Sequence, residues 1–199
     1  MRIAVFGATG RTGSAVLERA EQRDVEVVAL TRSLERLPEG EGLTRVLGDA
    51  TDPDAVLEVI RGADAVISAL GARTPDTTEL SDATAGVIAG AERAGVRRIA
   101  IVSQVGVFLS KTRPEFAHVR EEHLRNLSAL RASSLAWTAL APAGIDDRSG
   151  DGAYTAVVDA RAPEWQISRF DLADALLDAV ERDEWIGHAV GVSDAVDAA

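Results

Sequence analysis

Short apolar runs alternate with longer stretches of helical periodicity along this chain of 199 residues. The runs predict strands over residues 2–6, 25–30, 44–47, 64–70, 98–103, 136–141 and 153–158. The stretches between them predict helices over 11–22, 53–61, 78–94, about 116–132 and about 171–181. Several of the runs are almost continuously apolar, which is typical of strands covered on both faces. The alternation therefore predicts an α/β fold in which βαβ units build a parallel sheet.

Length and composition favour one globular domain over residues 1–199, with a small substrate-side portion from about 145 onwards. No run reaches the 18 or more apolar residues of a membrane span, and no signal-peptide pattern precedes the first strand. A cytoplasmic protein that does not enter a membrane is therefore expected. The absence of cysteine excludes disulfides, thiolate metal sites and a cysteine nucleophile.

The net charge of the chain indicates which kinds of partner it can bind. The net charge is −11, from 32 acidic and 21 basic residues. A surface this acidic repels phosphate backbones, so no nucleic-acid partner is expected. No cluster of side chains has the spacing of metal ligands, so no metal is expected. We expect a monomer or weak dimer whose partner is a small molecule.

A glycine-rich segment, Gly7-Ala-Thr-Gly-Arg-Thr-Gly13, joins the first predicted strand to the first predicted helix. Here Gly7 can turn the chain, Gly10 can let the backbone approach a phosphate, and Gly13 can allow close helix–strand packing. The start of the helix then favours a pyrophosphate. The spacing departs from the standard G-x-G-x-x-G, and a tight turn without a ligand is the alternative. The cofactor-binding candidates in this segment are Gly7, Thr9, Gly10, Arg11, Thr12 and Gly13.

The end of the second predicted strand bears on which dinucleotide would bind. NAD-binding chains usually carry an acid there for the ribose hydroxyls, whereas this chain has Thr31-Arg32-Ser33. Arg32 is placed to pair with a 2′-phosphate, which indicates NADPH as the cofactor. Thr31 and Ser33 are expected to add hydroxyl donors, and Arg11 or Arg36 to flank the phosphate. A solvated surface arginine is the alternative interpretation of Arg32.

Other predicted strand ends face the same side of the sheet. Asp49 follows the third strand and is expected at the adenine edge, with capping of the next segment as the alternative. The small-residue turn after the fourth strand leaves room for the adenosine ribose, and the sixth strand ends where backbone groups can bound a nicotinamide. The cofactor-binding candidates from these strand ends are Asp49, Ala50, Leu70, Gly71, Pro142, Ala143 and Ile145.

With these segments in view, the chain resembles the short-chain dehydrogenase/reductase superfamily over nearly its whole length. It looks most like the atypical NAD(P)H-binding branch that includes the NmrA-like proteins and the flavin reductase also called biliverdin-IXβ reductase. The resemblance implies a Rossmann-type, doubly wound, mostly parallel sheet with helices on both faces, and NADPH as cofactor. It rests on the glycine-rich segment and on Thr31-Arg-Ser33, Gly48-Asp49, Leu70-Gly-Ala-Arg73, Gly152-Ala-Tyr-Thr155 and Ile167-Ser-Arg-Phe-Asp-Leu172, and it adds Arg73 to the cofactor-binding candidates.

The Tyr-x-x-x-Lys pair of most ketoreductases in that superfamily is missing. The single tyrosine, Tyr154, and the single lysine, Lys111, lie 43 positions apart and in the wrong order. The catalytic candidates are Ser103, where the superfamily places its active-site serine and where the hydroxyl could also hold the cofactor's carboxamide, and His123, where relatives carry Lys or His. A backbone-bonding serine and a packing histidine are the alternatives. A second histidine one turn further on, part of the flavin reductase pattern, is replaced by Leu127.

The resulting functional hypothesis is an NADPH-dependent reductase that transfers hydride to a flat acceptor such as a flavin, a quinone or a linear tetrapyrrole. Such acceptors take hydride where water can supply the proton, and the apolar segment 104–109 is expected to floor their pocket. Trp165 is a weaker pocket candidate. One rival is a non-catalytic NmrA-like sensor or regulator that binds NADP(H). The other is an isomerase or epimerase, for which the C-terminal portion leaves little room.

Overall fold

A computed structural model of the protein describes residues 1–72 and 77–196, and within these ranges no helix is both long and apolar enough to cross a membrane. The strands are β1 (Arg2–Phe6), β2 (Glu26–Thr31), β3 (Leu43–Leu47), β4 (Ala65–Ser68), β5 (Arg98–Val102), β6 (Ala136–Pro142), β7 (Gly144–Asp146), β8 (Tyr154–Val158), β9 (Gln166–Ser168) and β10 (His188–Asp194). The α-helices are α1 (Arg11–Gln22), α2 (Pro53–Ile60), α3 (Glu79–Ala94), α4 (Ala117–Ala132) and α5 (Arg169–Ala179).

Eight strands form one sheet in the order β3-β2-β1-β4-β5-β6-β10-β8. All neighbours are parallel except β10 and β8, which are antiparallel. The chain therefore winds outward in both directions from the central pair β1 and β4. This order confirms the predicted α/β, Rossmann-type fold. The strands β7 and β9 form a separate parallel pair.

Helices cover both faces of the sheet because successive strand residues point to opposite sides. On β1, Val5 packs in one core cluster with residues of α1 and α5, such as Leu17 and Leu176. Its neighbour Phe6 packs in the other cluster with residues of α2, α3 and α4, such as Val56. Burial on both sides explains why these strands are almost continuously apolar.

Two helix ends match their sequence signals. Asp52 caps α2, because its Oδ1 accepts a hydrogen bond of 3.0 Å from the backbone N–H of Asp54, and Pro53 is the first helical residue. Gly95 ends α3 in the left-handed conformation, with φ of 73°.

The C-terminal part differs most from the sequence prediction. Strand β10 (His188–Asp194) was not predicted, because Gly191 interrupts its apolar run. A Cβ on Gly191 would lie 2.2 Å from the carbonyl oxygen of Ala160, so close packing requires the glycine there. The pair β7 and β9 was also missed. Helix α5 begins two residues earlier than predicted because Ser168 caps it, and Pro142 is the last residue of β6 rather than the residue that follows it.

Candidate functional site

The carboxyl ends of β1 to β4 surround a cavity of about 320 Å³. It lies where the chain leaves the central strands in opposite directions, which is the usual ligand position in sheets of this kind. Helix α3 contributes Glu79, Leu80 and Ala83 to its wall. Of the predicted cofactor-binding residues, the cavity brings together Gly7, Thr9, Arg32, Asp49, Ala50, Leu70 and Gly71.

Two glycines of the glycine-rich segment are required by its geometry. Gly7 has φ of +78°, and a Cβ on it would lie 2.6 Å from the carbonyl oxygen of Ala69. A Cβ on Gly13 would lie 2.1 Å from the carbonyl oxygen of Gly7. At Gly10, by contrast, the single close neighbour of a Cβ among the described residues is that same oxygen, at 3.1 Å. A side chain at Gly10 would therefore project into the space beside the start of α1 rather than into packed protein.

The start of α1 fits the phosphates of a dinucleotide. Its N-cap is Gly10, which has no side chain to cap the helix, and its first turn carries no acid. The first N–H groups of a helix lack intrahelical partners and carry a partial positive charge. An anion seated there would satisfy both features. Arg11 and Thr12, which begin the helix, lie at this position, although neither is among the residues that line the cavity.

Arg32 lies at the edge of the cavity and is exposed. Its Nη1 is 3.8 Å from Oδ2 of Asp49, a solvent-exposed pair of low expected strength. The other oxygen of Asp49 accepts hydrogen bonds from the N–H and hydroxyl of Thr51, at 2.9 and 2.8 Å. Asp49 thus caps the following turn, as the alternative interpretation had it, while it also faces the cavity.

Thr31, predicted to offer a hydroxyl donor, lines the cavity with its hydroxyl already bonded to backbone. Thr31 is buried, and its hydroxyl donates to the carbonyl oxygen of Ser33 at 2.8 Å while accepting from the N–H of Ser33 at 3.0 Å. Ser33 itself follows Arg32 but does not line the cavity. Arg36 lines a neighbouring cavity beside α1, so it does not flank Arg32 in this one.

Ser103 and His123 are both buried polar residues. Ser103 directly follows β5, is 3% exposed, and is fixed by a 2.6 Å hydrogen bond from its N–H to the carbonyl oxygen of Leu140. Its hydroxyl has no hydrogen-bond partner among the described residues. His123 is 5% exposed, and its Nδ1 likewise lacks a partner there. Burial lowers the pKa of His123 to about 4, despite the nearby charge of Glu122, so the imidazole is neutral at pH 7.

Sequence reasoning missed Asn126. It is 2% exposed, and its Oδ1 has no partner in the part of the chain that the structure describes. Asn126 and His123 follow Arg120 at intervals of three on α4, so the three share a face. Arg120 donates from Nε to the carbonyl oxygen of Gly106 at 2.8 Å, which fastens this face to the segment after Ser103. Asn126 could have been identified from the sequence as a polar residue at a position where the helical periodicity of α4 predicts burial.

The side chain of Tyr154 is occupied elsewhere. Its hydroxyl donates to Oδ2 of Asp178, and its ring packs edge-on against Trp185 with 6.5 Å between ring centres. Burial and the Asp178 carboxylate raise the pKa of Tyr154 well above its usual value. Trp165, the weaker pocket candidate, is 56% exposed, and the guanidinium of Arg161 lies 4.9 Å from its ring centre. Trp165 does not line the cavity.

The remaining predicted residues lie around the end of β6. Pro142 pairs with Val192 of β10, and Ile145 pairs with Ile167 of β9, so part of this backbone is engaged in ladders that were not predicted. Ala143 connects the two strands. Arg73 lies outside the described residues. Within those residues, no three His, Asp or Glu side chains converge to hold a metal ion.

Comparison with known proteins shows which family the chain matches. A family model described as NAD(P)H-binding matches residues 7–183. The uncharacterised protein YwnB of Bacillus subtilis is 29% identical over 92% of this chain and 94% of its own length. A protein of Bacteroides thetaiotaomicron, provisionally assigned as an epimerase, is 28% identical with a TM-score of 0.84, covering 100% of this chain and 99% of that one.

A protein of Streptococcus pneumoniae, provisionally assigned as an NADH-flavin reductase, is 26% identical with a TM-score of 0.81, covering 98% of this chain and 99% of that one. The family match spans the glycine-rich segment and each of the four strand ends around the cavity. This chain therefore belongs to the NAD(P)H-binding family.

Proposed function

We propose that the protein is an NADPH-dependent reductase that transfers hydride to a flat acceptor such as a flavin, a quinone or a linear tetrapyrrole. The preference for NADPH over NADH is inferred from Arg32, which lies at the edge of the cavity. The residues that end β2 include no carboxylate. The Streptococcus pneumoniae relative supports the reductase part, although its name specifies NADH. Membership of the branch with the NmrA-like proteins and biliverdin-IXβ reductase is part of the same proposal.

Each end of the cofactor meets a different set of groups. Arg32 pairs with the 2′-phosphate, because a planar guanidinium binds phosphate through two parallel hydrogen bonds. The start of α1 binds the pyrophosphate, and the turn at Leu70 and Gly71 accommodates the adenosine ribose. Bound NADPH supplies the hydride. The protein's own contribution is to hold the nicotinamide beside Ser103 and the acceptor over the half-buried segment 104–109.

The proton comes from water or from a weak donor in this proposal. His123 is neutral at pH 7 because of its lowered pKa, so it is not an imidazolium acid. The hydroxyl of Tyr154 is bound to Asp178 and has a raised pKa. Neither group therefore resembles the tuned proton donor of a ketoreductase. Catalysis rests on orientation, which supplies several kcal/mol of a barrier when the reactants are well aligned, about 7 or more in favourable cases.

Oxidation of NADPH tests the proposal when it is followed by loss of absorbance in the presence of FMN, riboflavin, a quinone or biliverdin. We expect turnover with at least one of these acceptors. NADPH binding is measured separately by fluorescence titration of the same preparation. Tight NADPH binding without turnover of any acceptor would contradict the reductase proposal. It would favour the alternative, a non-catalytic sensor or regulator that binds NADP(H). Interconversion of a sugar nucleotide without net oxidation of NADPH would favour the epimerase.

A further inference from the structure

Arg169 is a buried arginine beside the glycine-rich segment. It is the first residue of α5 and only 6% exposed. Its Nη1 donates to Oγ1 of Thr12 at 3.2 Å, and its Nε donates to Oδ1 of Asp147 at 2.6 Å. A cation in the first turn of a helix opposes the helix dipole, and burying a guanidinium costs free energy unless it is paired. The positive charge of Arg169 therefore needs hydrogen-bond acceptors or anions close by to offset these costs.

Asp147 supplies part of that compensation and is shared between two arginines. Its Oδ1 bonds Arg169, and its Oδ2 is 3.8 Å from Nη1 of Arg11. The hydrogen bond from Arg169 lowers the pKa of Asp147, so this carboxylate is charged at pH 7. Two cations therefore share one anion at the start of α1, in a chain whose net charge is −11. A phosphate seated at the start of α1 would balance the remaining positive charge.

The hydrogen bond to Thr12 determines what that hydroxyl can do. Thr12 is the second residue of α1, two residues after the N-cap Gly10. A hydroxyl has one hydrogen to donate and two lone pairs. Because Arg169 occupies a lone pair of Oγ1, the hydroxyl hydrogen stays available to an acceptor on the ligand side. A charged donor also polarises the hydroxyl and strengthens the bond that it makes in turn.

We propose that Arg169 is a positioning residue for the pyrophosphate of the cofactor. It acts through Thr12, whose hydroxyl it orients towards the phosphates, and Asp147 fixes its guanidinium. Arg32 recognises the 2′-phosphate of NADPH, whereas Arg169 acts on the part that NADH and NADPH share. The inference rests on the NAD(P)H-binding part of the proposed function and does not depend on hydride transfer.

Substitution of Arg169 by methionine removes the charge and keeps an apolar stem of similar length. Arg23 offers a matched control, because it also ties α1 to α5, through 2.7 Å pairs with Asp174 and Asp178, but lies just beyond the far end of α1. The dissociation constants of NADPH, NADH and adenosine 2′-monophosphate are measured for each variant, together with the melting temperature. The last ligand carries the 2′-phosphate but no pyrophosphate.

We expect Arg169→Met to weaken NADPH and NADH alike, by about tenfold to 100-fold, and to leave adenosine 2′-monophosphate within about twofold. Arg169→Lys restores part of the loss because the charge returns without the planar fork. Arg23→Met lowers the melting temperature and changes none of the three affinities. Thr12→Val also weakens NADPH and NADH while leaving adenosine 2′-monophosphate unchanged. The double variant of Thr12 and Arg169 binds the dinucleotides no more weakly than whichever single variant binds them less tightly, because Arg169 acts through Thr12.

Wild-type affinity for NADPH and NADH in Arg169→Met overturns the inference. An equal loss for adenosine 2′-monophosphate also overturns it, because the whole site is then disturbed. If Arg169→Met does not fold, Thr12→Val decides: unchanged dinucleotide affinity in that variant contradicts a role through Thr12. A wild-type protein that binds NADPH but reduces no acceptor removes the reductase and leaves this inference standing.

Discussion

Two parts of the proposed cofactor site differ in how exposed their polar groups are. At the adenosine end, the part that the proposal assigns to the adenosine, Arg32 and Asp49 are accessible and line the cavity. At the nicotinamide end, the part that the proposal assigns to the nicotinamide, Ser103, His123 and Asn126 are buried, and each has a polar atom without a partner in the described part of the chain. The first end is suited to recognise a ligand by its charges. The second end is suited to hold a ring in place, because its buried polar groups are neutral and can form hydrogen bonds without transferring a proton.

The largest effect is expected at Gly10, the N-cap of α1. Gly10→Val places a side chain beside the start of α1, in the space assigned to the pyrophosphate, and should abolish binding of NADPH and NADH. The fold should remain, because the single protein atom close to the new Cβ among the described residues is the carbonyl oxygen of Gly7. Fluorescence titration and circular dichroism measure the two quantities.

A control for this variant is Gly40→Ala, since no described atom lies within 4 Å of a Cβ at that position. It should bind both cofactors like the wild type. Retained micromolar affinity in Gly10→Val would mean that the cofactor phosphates do not approach the backbone there.

A smaller effect is expected at the nicotinamide end if it acts by positioning. Ser103→Ala and His123→Ala should each lower kcat with a flavin acceptor by less than about 100-fold, because loss of an essential general acid typically costs 10²–10⁴-fold. Tyr154→Phe should have less effect still, because its hydroxyl is bound to Asp178. Steady-state kinetics measures these values after NADPH binding by each variant is verified. A loss beyond about 1,000-fold for His123→Ala or Tyr154→Phe would identify a true general acid.

The neutral state of His123 predicts a pH dependence of stability. Its pKa is about 4 in the folded protein and near 6.5 in the unfolded chain, so the unfolded state binds more protons between these values. The free energy of unfolding should therefore fall as the pH decreases below about 6.5, by up to about 1.4 kcal/mol per pH unit from this group. Urea denaturation of the wild type and His123→Gln at several pH values isolates the contribution. Parallel pH dependence in the two proteins would show that His123 is not held neutral by burial.

The adenosine end was predictable from the sequence because its residues follow strands directly in the chain. Recognising β1, β2, β3 and β4 was enough to place Gly7, Arg32, Asp49 and Leu70 at one edge of the sheet. The backbone hydrogen bonds of the Thr31 hydroxyl, which the sequence prediction did not include, have a local cause. A hydroxyl at a strand end can bond the backbone two residues away, and the Thr31 hydroxyl bonds Ser33 in this way.

The features that the sequence did not reveal depend on contacts between distant segments. Thr12 and Arg169 meet because α5 packs on α1, although they are 157 positions apart. Asn126 carried no motif, and its significance follows from burial on the face of α4 that Arg120 fastens to Gly106. Strand β10 was not predicted because Gly191 interrupts its apolar run, and its parallel pairing with β6 supplies stability that the sequence pattern does not indicate.

Recognition of the 2′-phosphate by Arg32 is the central claim of the proposed function. The decisive measurement is the dissociation constant of NADPH and of NADH for the wild type and for Arg32→Ala. A charge-assisted hydrogen bond contributes about 1.5–3 kcal/mol, so Arg32→Ala should weaken NADPH by roughly 10- to 150-fold. NADH, which has no 2′-phosphate, should bind almost as before. Equal losses for the two cofactors, or a wild type that prefers NADH, would contradict the account.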